Sequence, residues 1–161
     1  MGGVHRPSLP RLALSLVDAQ AHSDLPVRQT LRGWILRALE RDAQLTLVFA
    51  DSRAGRRLNR DYRGRDYATN VLTFTYESPT ARTVPAAPVT ADIVLCMPVV
   101  RQEAREQGKT LRAHLAHLVI HGVLHAQGYE HERERDARRM QAIETRLLAA
   151  LRIADPYATA P

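Results

Sequence analysis

Apolar positions along the chain switch between two periods. Leu12 to Val17 alternates as a half-buried strand does, and Asp24-Leu25-Pro26 supplies a helix start before Val27, Leu31, Trp34, Ile35, Ala38 and Leu39, which recur at helical spacing. Leu45 to Ala50 reads Leu-Thr-Leu-Val-Phe-Ala and predicts a second strand, after which Asp51-Ser52 can cap a helix running to about Tyr62. Val71 to Tyr76 and Asp92 to Met97 predict two more strands, separated by a Pro- and Ala-rich loop at 79–88. Pro98 opens a helix that should stop near Gly108. From Thr110 to Gln127 the chain is apolar nearly all round the helical circumference, through Leu115, Leu118, Val119, Ile120, Val123 and Leu124, so this helix is central and buried. Gly128 ends it, and Arg133 to Leu151 forms a last amphipathic helix with Met140, Ile143, Leu147 and Leu151 inward. Four strands and about five helices predict one α/β (α+β) domain over 1–152, with 153–161 as a flexible tail.

Composition narrows the class. A chain of 161 residues with 45% hydrophobic and 25% charged residues is an ordinary globular domain, neither disordered nor of low complexity. Its one cysteine, Cys96, excludes an internal disulfide and zinc modules built on several cysteines, and fits a reducing, cytoplasmic setting. The longest apolar run, Ile93 to Val100, contains Pro98 and is far short of the roughly 20 residues that span a bilayer; no export or lipid signal is read at the N-terminus. Neither a membrane nor a dinucleotide cofactor enters the reading.

The formal charge of +6 is almost wholly guanidinium, since Lys109 is the only lysine. Arginine's planar fork suits phosphate, although a GC-rich genome would also write Arg for Lys throughout. Position adds information: Arg53, Arg56, Arg57, Arg60, Arg63 and Arg65 fall within fourteen residues that hold one acid, Asp61, with Tyr62 and Tyr67 close by. Cations mixed with aromatic faces suit single-stranded nucleic acid, and the six arginines are candidate RNA contacts; a solvated basic helix face is the plainer alternative.

The buried helix has four polar exceptions, His114, His117, His121 and His125, which project at about 0°, −60°, −20° and +20° relative to the first. His121 and His125 are one turn apart, and His131 lies beyond the helix-ending Gly128, where the chain can turn back with a third imidazole. Three histidines with an open fourth position describe a catalytic zinc arrangement. The extended His-Glu-x-x-His peptidases share this spacing, but they place a carboxylate directly after the first histidine, and here that residue is Gly122. Gly122 is expected to leave room beside the ion for a bulky ribose-phosphate. Glu130 and Glu132 flank His131 and read as solvated.

The string His121-Gly-Val-Leu-His125-Ala-Gln-Gly-Tyr-Glu-His131 resembles the signature of the YbeY family of bacterial metal-dependent endoribonucleases, the rRNA maturation factors. Asn59-Arg60-Asp61-Tyr62-Arg63-Gly64-Arg65-Asp66, leading into Ala68-Thr69-Asn70-Val71-Leu72-Thr73-Phe74, resembles the family's second hallmark, and Asp92-Ile93-Val94 its Gly-Asp-Ile strand. Departures are mild: Glu130 for Asp, Arg65 for Lys, Ala68 for Pro, Thr73 for Ser and Ala91 for Gly. The resemblance implies one zinc ion on His121, His125 and His131, action on single-stranded RNA, and a role in 16S rRNA 3′-end maturation and ribosome quality control. Implied partners are rRNA and the small subunit, with a small-subunit ribosomal protein and an assembly GTPase as further candidates.

Arg63, matched to the arginine of the Tyr-Arg-Gly motif, is the second catalytic candidate, able to stabilise charge building on phosphorus; an ion pair with Asp61 or Asp66 is its plainer role. His117 is a candidate to orient a ligand or move a proton, and Asn70, at the mouth of a strand, to position the loop. Two rivals remain at this stage: a zinc peptidase, and a non-catalytic zinc-containing ribosome assembly factor.

Overall fold

The computed structural model describes residues 9–63, 69–76 and 87–158. Its frame is a four-stranded sheet built from β1 (Leu12–Val17), β2 (Ala43–Ala50), β3 (Val71–Thr75) and β4 (Val89–Cys96), in the order β1-β2-β4-β3. β1, β2 and β4 run parallel, and β3 returns antiparallel on the edge of β4. The helices are α1 (Arg28–Ala38), α2 (Ser52–Arg63), α3 (Met97–Glu106), α4 (Leu111–Ala126) and α5 (Glu134–Ala150). A single 3₁₀ turn at Ala19–Ala21 precedes α1.

The alternation of side chains along each strand divides the interior into two unequal layers. Leu45, Leu47 and Phe49 of β2 and Ala91, Ile93 and Leu95 of β4 face the larger core, where α1 and α4 contribute Leu31, Trp34, Ile35, Leu115, Val119, Ile120 and Val123. The opposite face holds a smaller cluster, Ala50, Leu72 and Val94, covered by Leu58 of α2. Each fully buried Leu or Ile contributes on the order of 1.5–3 kcal/mol by leaving water, so the α4 face carries most of the fold's apolar stabilisation.

The four strands and five helices agree with the sequence reading, and the differences have local causes. β4 begins at Val89 rather than at Asp92 because its register with β2 pairs Ala43 with Val89, and parallel pairing continues through Thr90 and Asp92 despite their polarity. α5 turns the expected face inward, with Met140 buried and Ile143, Leu147 and Leu151 packed against the core, and adds two residues to it, Leu148 and the buried Glu144. Beyond residue 152, where the sequence suggests a loose tail, 153–158 fold back: Ile153 packs against the core, its N–H bonds to Leu148 O at 2.9 Å, and Tyr157 reaches the buried Glu144. Most of the predicted loop at 79–88, and Arg65, lie outside the described residues. No helix among the described residues is long and apolar enough to cross a membrane.

Candidate metal centre

Thr110 starts α4 as an N-cap, its hydroxyl accepting from Ala113 N–H at 3.1 Å. At the other end Gly128 takes φ 99°, a conformation side chains rarely adopt, and the turn is closed by Gly128 N–H to His125 O at 3.0 Å and Tyr129 N–H to Leu124 O at 3.1 Å. Gln127 ties this end to α1: its amide donates to Ala38 O at 2.7 Å and accepts from Glu40 N–H at 2.7 Å. The chain therefore reverses at a fixed angle and carries His131 back toward the helix.

The result is a triangle of imidazoles. Ring centroids stand 4.5 Å apart for His121 and His125, 4.7 Å for His125 and His131, and 5.6 Å for His121 and His131. One nitrogen from each ring lies within 4.8 Å of the others, and among the described residues no thiol or carboxylate joins that trio. Cys96 is buried beside α2, with its thiol on Asp51 O. The donor set fits a divalent ion of borderline softness, for which neutral imidazoles are suited. Burial, then repulsion from His121 and His131, lowers His125 to about 4, so its ring is neutral at ordinary pH.

The triangle lies at one side of a cleft of about 730 Å³ whose lining includes Thr69, Asn70, Thr73, Glu130 and Glu132. Asn70 fixes the entry to β3: its amide donates to Glu103 Oε1 at 3.0 Å, and its carbonyl accepts from Val71 N–H at 2.7 Å. Glu103 also holds His114, at 3.2 Å from Nε2. Neither Glu103 nor Glu144 was singled out from sequence. Glu144 is wholly buried, with Oε1 2.5 Å from His121 Nδ1 and Oε2 3.6 Å from His117 Nε2. Burial opposes ionisation of Glu144, but bonds from His117, His121 and Tyr157 outweigh it and hold the carboxyl down to about 2. Its sequence signal was available: a lone acid at the midpoint of the Met140 to Leu148 stripe.

Gly122 corrects an expectation. A Cβ there would meet Ile93 Cγ2 at 2.8 Å and Thr73 Oγ1 at 3.3 Å, so the residue lets α4 approach the sheet and does not reserve space for substrate. Four of the candidate arginines, Arg53, Arg56, Arg57 and Arg60, lie across the sheet from the triangle. Asp51 Oδ1 accepts from Ala54 N–H at 2.7 Å and starts α2, which lies on the sheet face opposite α4. Arg53, Arg56, Arg57 and Arg60 are exposed on it, and Arg57 and Arg60 approach Asp61 at 3.9 and 3.4 Å. Arg63 is the last residue of α2, and the chain resumes at the cleft-lining Thr69 and Asn70.

A family model described as endoribonuclease YbeY matches residues 18–152. The chain belongs to the YbeY family. It is 52% identical over 153 residues to an endoribonuclease YbeY of Paraburkholderia phytofirmans, covering 92% of this chain and 97% of that protein. An endoribonuclease YbeY of Cupriavidus necator is 59% identical over 133 residues, which are 83% of this chain and 65% of that relative, so the match spans just under two thirds of its length. The solution structure of TM1509 from Thermotoga maritima shares the fold, with TM-score 0.54 and 22% identity over 92% of this chain and 99% of that one.

Proposed function

We propose that this chain is a metal-dependent endoribonuclease specific for single strands, acting in the cytoplasm on the 3′ end of 16S rRNA and in ribosome quality control. The observation that carries the reading is the triangle of His121, His125 and His131 beside a polar cleft, in a chain of the YbeY family. One zinc ion is the proposed occupant, and when bound it would polarise a phosphate oxygen and acidify water. His125 serves as a donor that needs no deprotonation near neutral pH. Asn70 and Glu103 hold the start of β3 against α3, fixing one wall of the cleft. Arg63 is the proposed stabiliser of charge on phosphorus; in support, the helix it ends hands the chain to that wall. Arg53, Arg56, Arg57, Arg60 and Arg65 supply attraction to the backbone of the strand rather than chemistry. The small ribosomal subunit, one of its proteins and an assembly GTPase are the proposed partners.

The test is cleavage of a single-stranded RNA spanning the 3′ precursor junction by zinc-loaded protein, beside casein and a His121→Ala control. RNA cleavage that chelator and His121→Ala abolish is the expected result. Arg63→Ala should lose cleavage while keeping its zinc. Cleavage of casein instead would make the chain a peptidase, and cleavage of neither would make it a non-catalytic assembly factor.

A further inference from the structure

We propose that Glu144, held by Tyr157 from the segment after α5, fixes His121 in the tautomer that presents Nε2 to a cation, so that 153–158 act as a strap positioning the metal centre. The inference rests on the metal reading above and adds positioning residues to it. Tyr157 lies beyond residue 152, where the family match stops.

Glu144, in the middle of an amphipathic helix, has an exposure of 0%. A buried ionised carboxylate is costly unless both oxygens find donors. One oxygen has His121 Nδ1 at 2.5 Å, and the other receives the Tyr157 hydroxyl. An ionised carboxylate can only accept, so the proton of that first bond resides on His121 Nδ1, which leaves Nε2 as the free lone pair of the ring. His117 completes the arrangement, with Nε2 at 3.1 Å from the Tyr157 oxygen and the two rings edge to face at 5.4 Å. His117, His121 and Glu144 also have the composition of a second cation site, their donor atoms lying within 4.8 Å of one another. The 2.5 Å contact is a hydrogen-bond length with no space for an ion between its atoms, and the phenol occupies the other oxygen, so the cluster is a support and not a second site.

The strap is itself built in. Arg152 takes φ 60° to reverse the chain after α5, and Asp155 accepts from Tyr157 N–H at 2.8 Å and from the Thr145 hydroxyl at 3.2 Å. These contacts bring the phenol in from outside α5 to Glu144 Oε2, which His117 Nε2 approaches only at 3.6 Å. Metal-bound histidines commonly have such a carboxylate on the other ring nitrogen, and losing it weakens metal binding about 10–100-fold.

Two measurements test this. Long-range ¹H–¹⁵N spectra of the metal-free protein at neutral pH should show His121 carrying its proton on Nδ1. Zinc affinity, read by competition with a chromophoric chelator, should fall roughly 10–100-fold in Glu144→Gln and by a smaller factor in Tyr157→Phe. Circular dichroism of each variant establishes that it is folded, and if Glu144→Gln is not, Tyr157→Phe and the wild-type tautomer decide. A proton on His121 Nε2, or affinity within about twofold of wild type in folded variants, overturns the inference while leaving the metal reading standing. Wild-type protein that takes up no zinc overturns both.

Discussion

On the α4 face of the sheet, His121 and Glu144 meet each other beneath the surface; on the α2 face, Arg53, Arg56, Arg57 and Arg60 are exposed to solvent. Glu144 is fully buried and accepts from His121 Nδ1 at 2.5 Å, whereas Arg57 keeps 76% of its side chain exposed and meets Asp61 at 3.9 Å. The energetics differ accordingly. Leaving a buried charged group without its partner costs on the order of 3–5 kcal/mol, while an exposed ion pair contributes about 0–1. Glu144 is therefore constrained in position, while the exposed arginines of α2 can serve as diffuse charge.

The comparison can be broken most severely at the triangle. His125→Ala should eliminate both stoichiometric zinc and RNA cleavage, read by elemental analysis and by gel, whereas no single arginine of Arg53, Arg57 or Arg60 should affect zinc content. Acid should come next. His125 is held at about 4 against an ordinary 6.5, so the unfolded chain binds the extra proton between those values and metal-free stability falls as pH drops through that window. Glu144 is held at about 2 against 4.5, so a further loss on the order of 3 kcal/mol follows as pH falls from 4.5 toward 2. Urea melts at stepped pH would show both limbs, and Glu144→Gln should remove the lower one.

Packing gives the third test. Gly122→Ala places a methyl 2.8 Å from Ile93 Cγ2 and should lower stability by about 1–3 kcal/mol in denaturant melts, with further loss of zinc if α4 lifts from the sheet. The smallest effect belongs to the α2 face: Arg53, Arg57 and Arg60 replaced together by Ala should change stability by no more than about 0.5 kcal/mol per site. The same variant should flatten the salt dependence of single-stranded RNA binding by about 2 in slope if all three contact phosphate. An unchanged slope would leave α2 as a solvated surface.

These two faces also differ in how much the sequence disclosed. The triangle was legible because helical periodicity and a helix-ending glycine are short-range rules, and they bring 121, 125 and 131 to one place without any knowledge of the sheet. The role of Gly122 was not legible, since it depends on Ile93 and Thr73 from strands far away in sequence. Glu144 was hidden because Met140, Ile143, Leu147 and Leu151 account for the packing of α5 without it, and an acid among them needs a partner one helix away to make sense. The arginines are a different case. Their clustering was plain, but charge on a surface helix carries no depth signal, and nothing local shows that α2 lies across the sheet from the histidines.

The Gln127 tie gives the metal centre a spectroscopic reporter outside the imidazole triangle. Glu40 N–H donates into the Gln127 side chain at 2.7 Å, and this same glutamine closes the helix end from which His131 is hung. For the Glu40 amide to meet solvent and exchange its hydrogen, that turn must open. Its deuterium-exchange lifetime should therefore lengthen when the triangle is occupied, and a backbone position just after α1 would register events at the C-terminal end of α4.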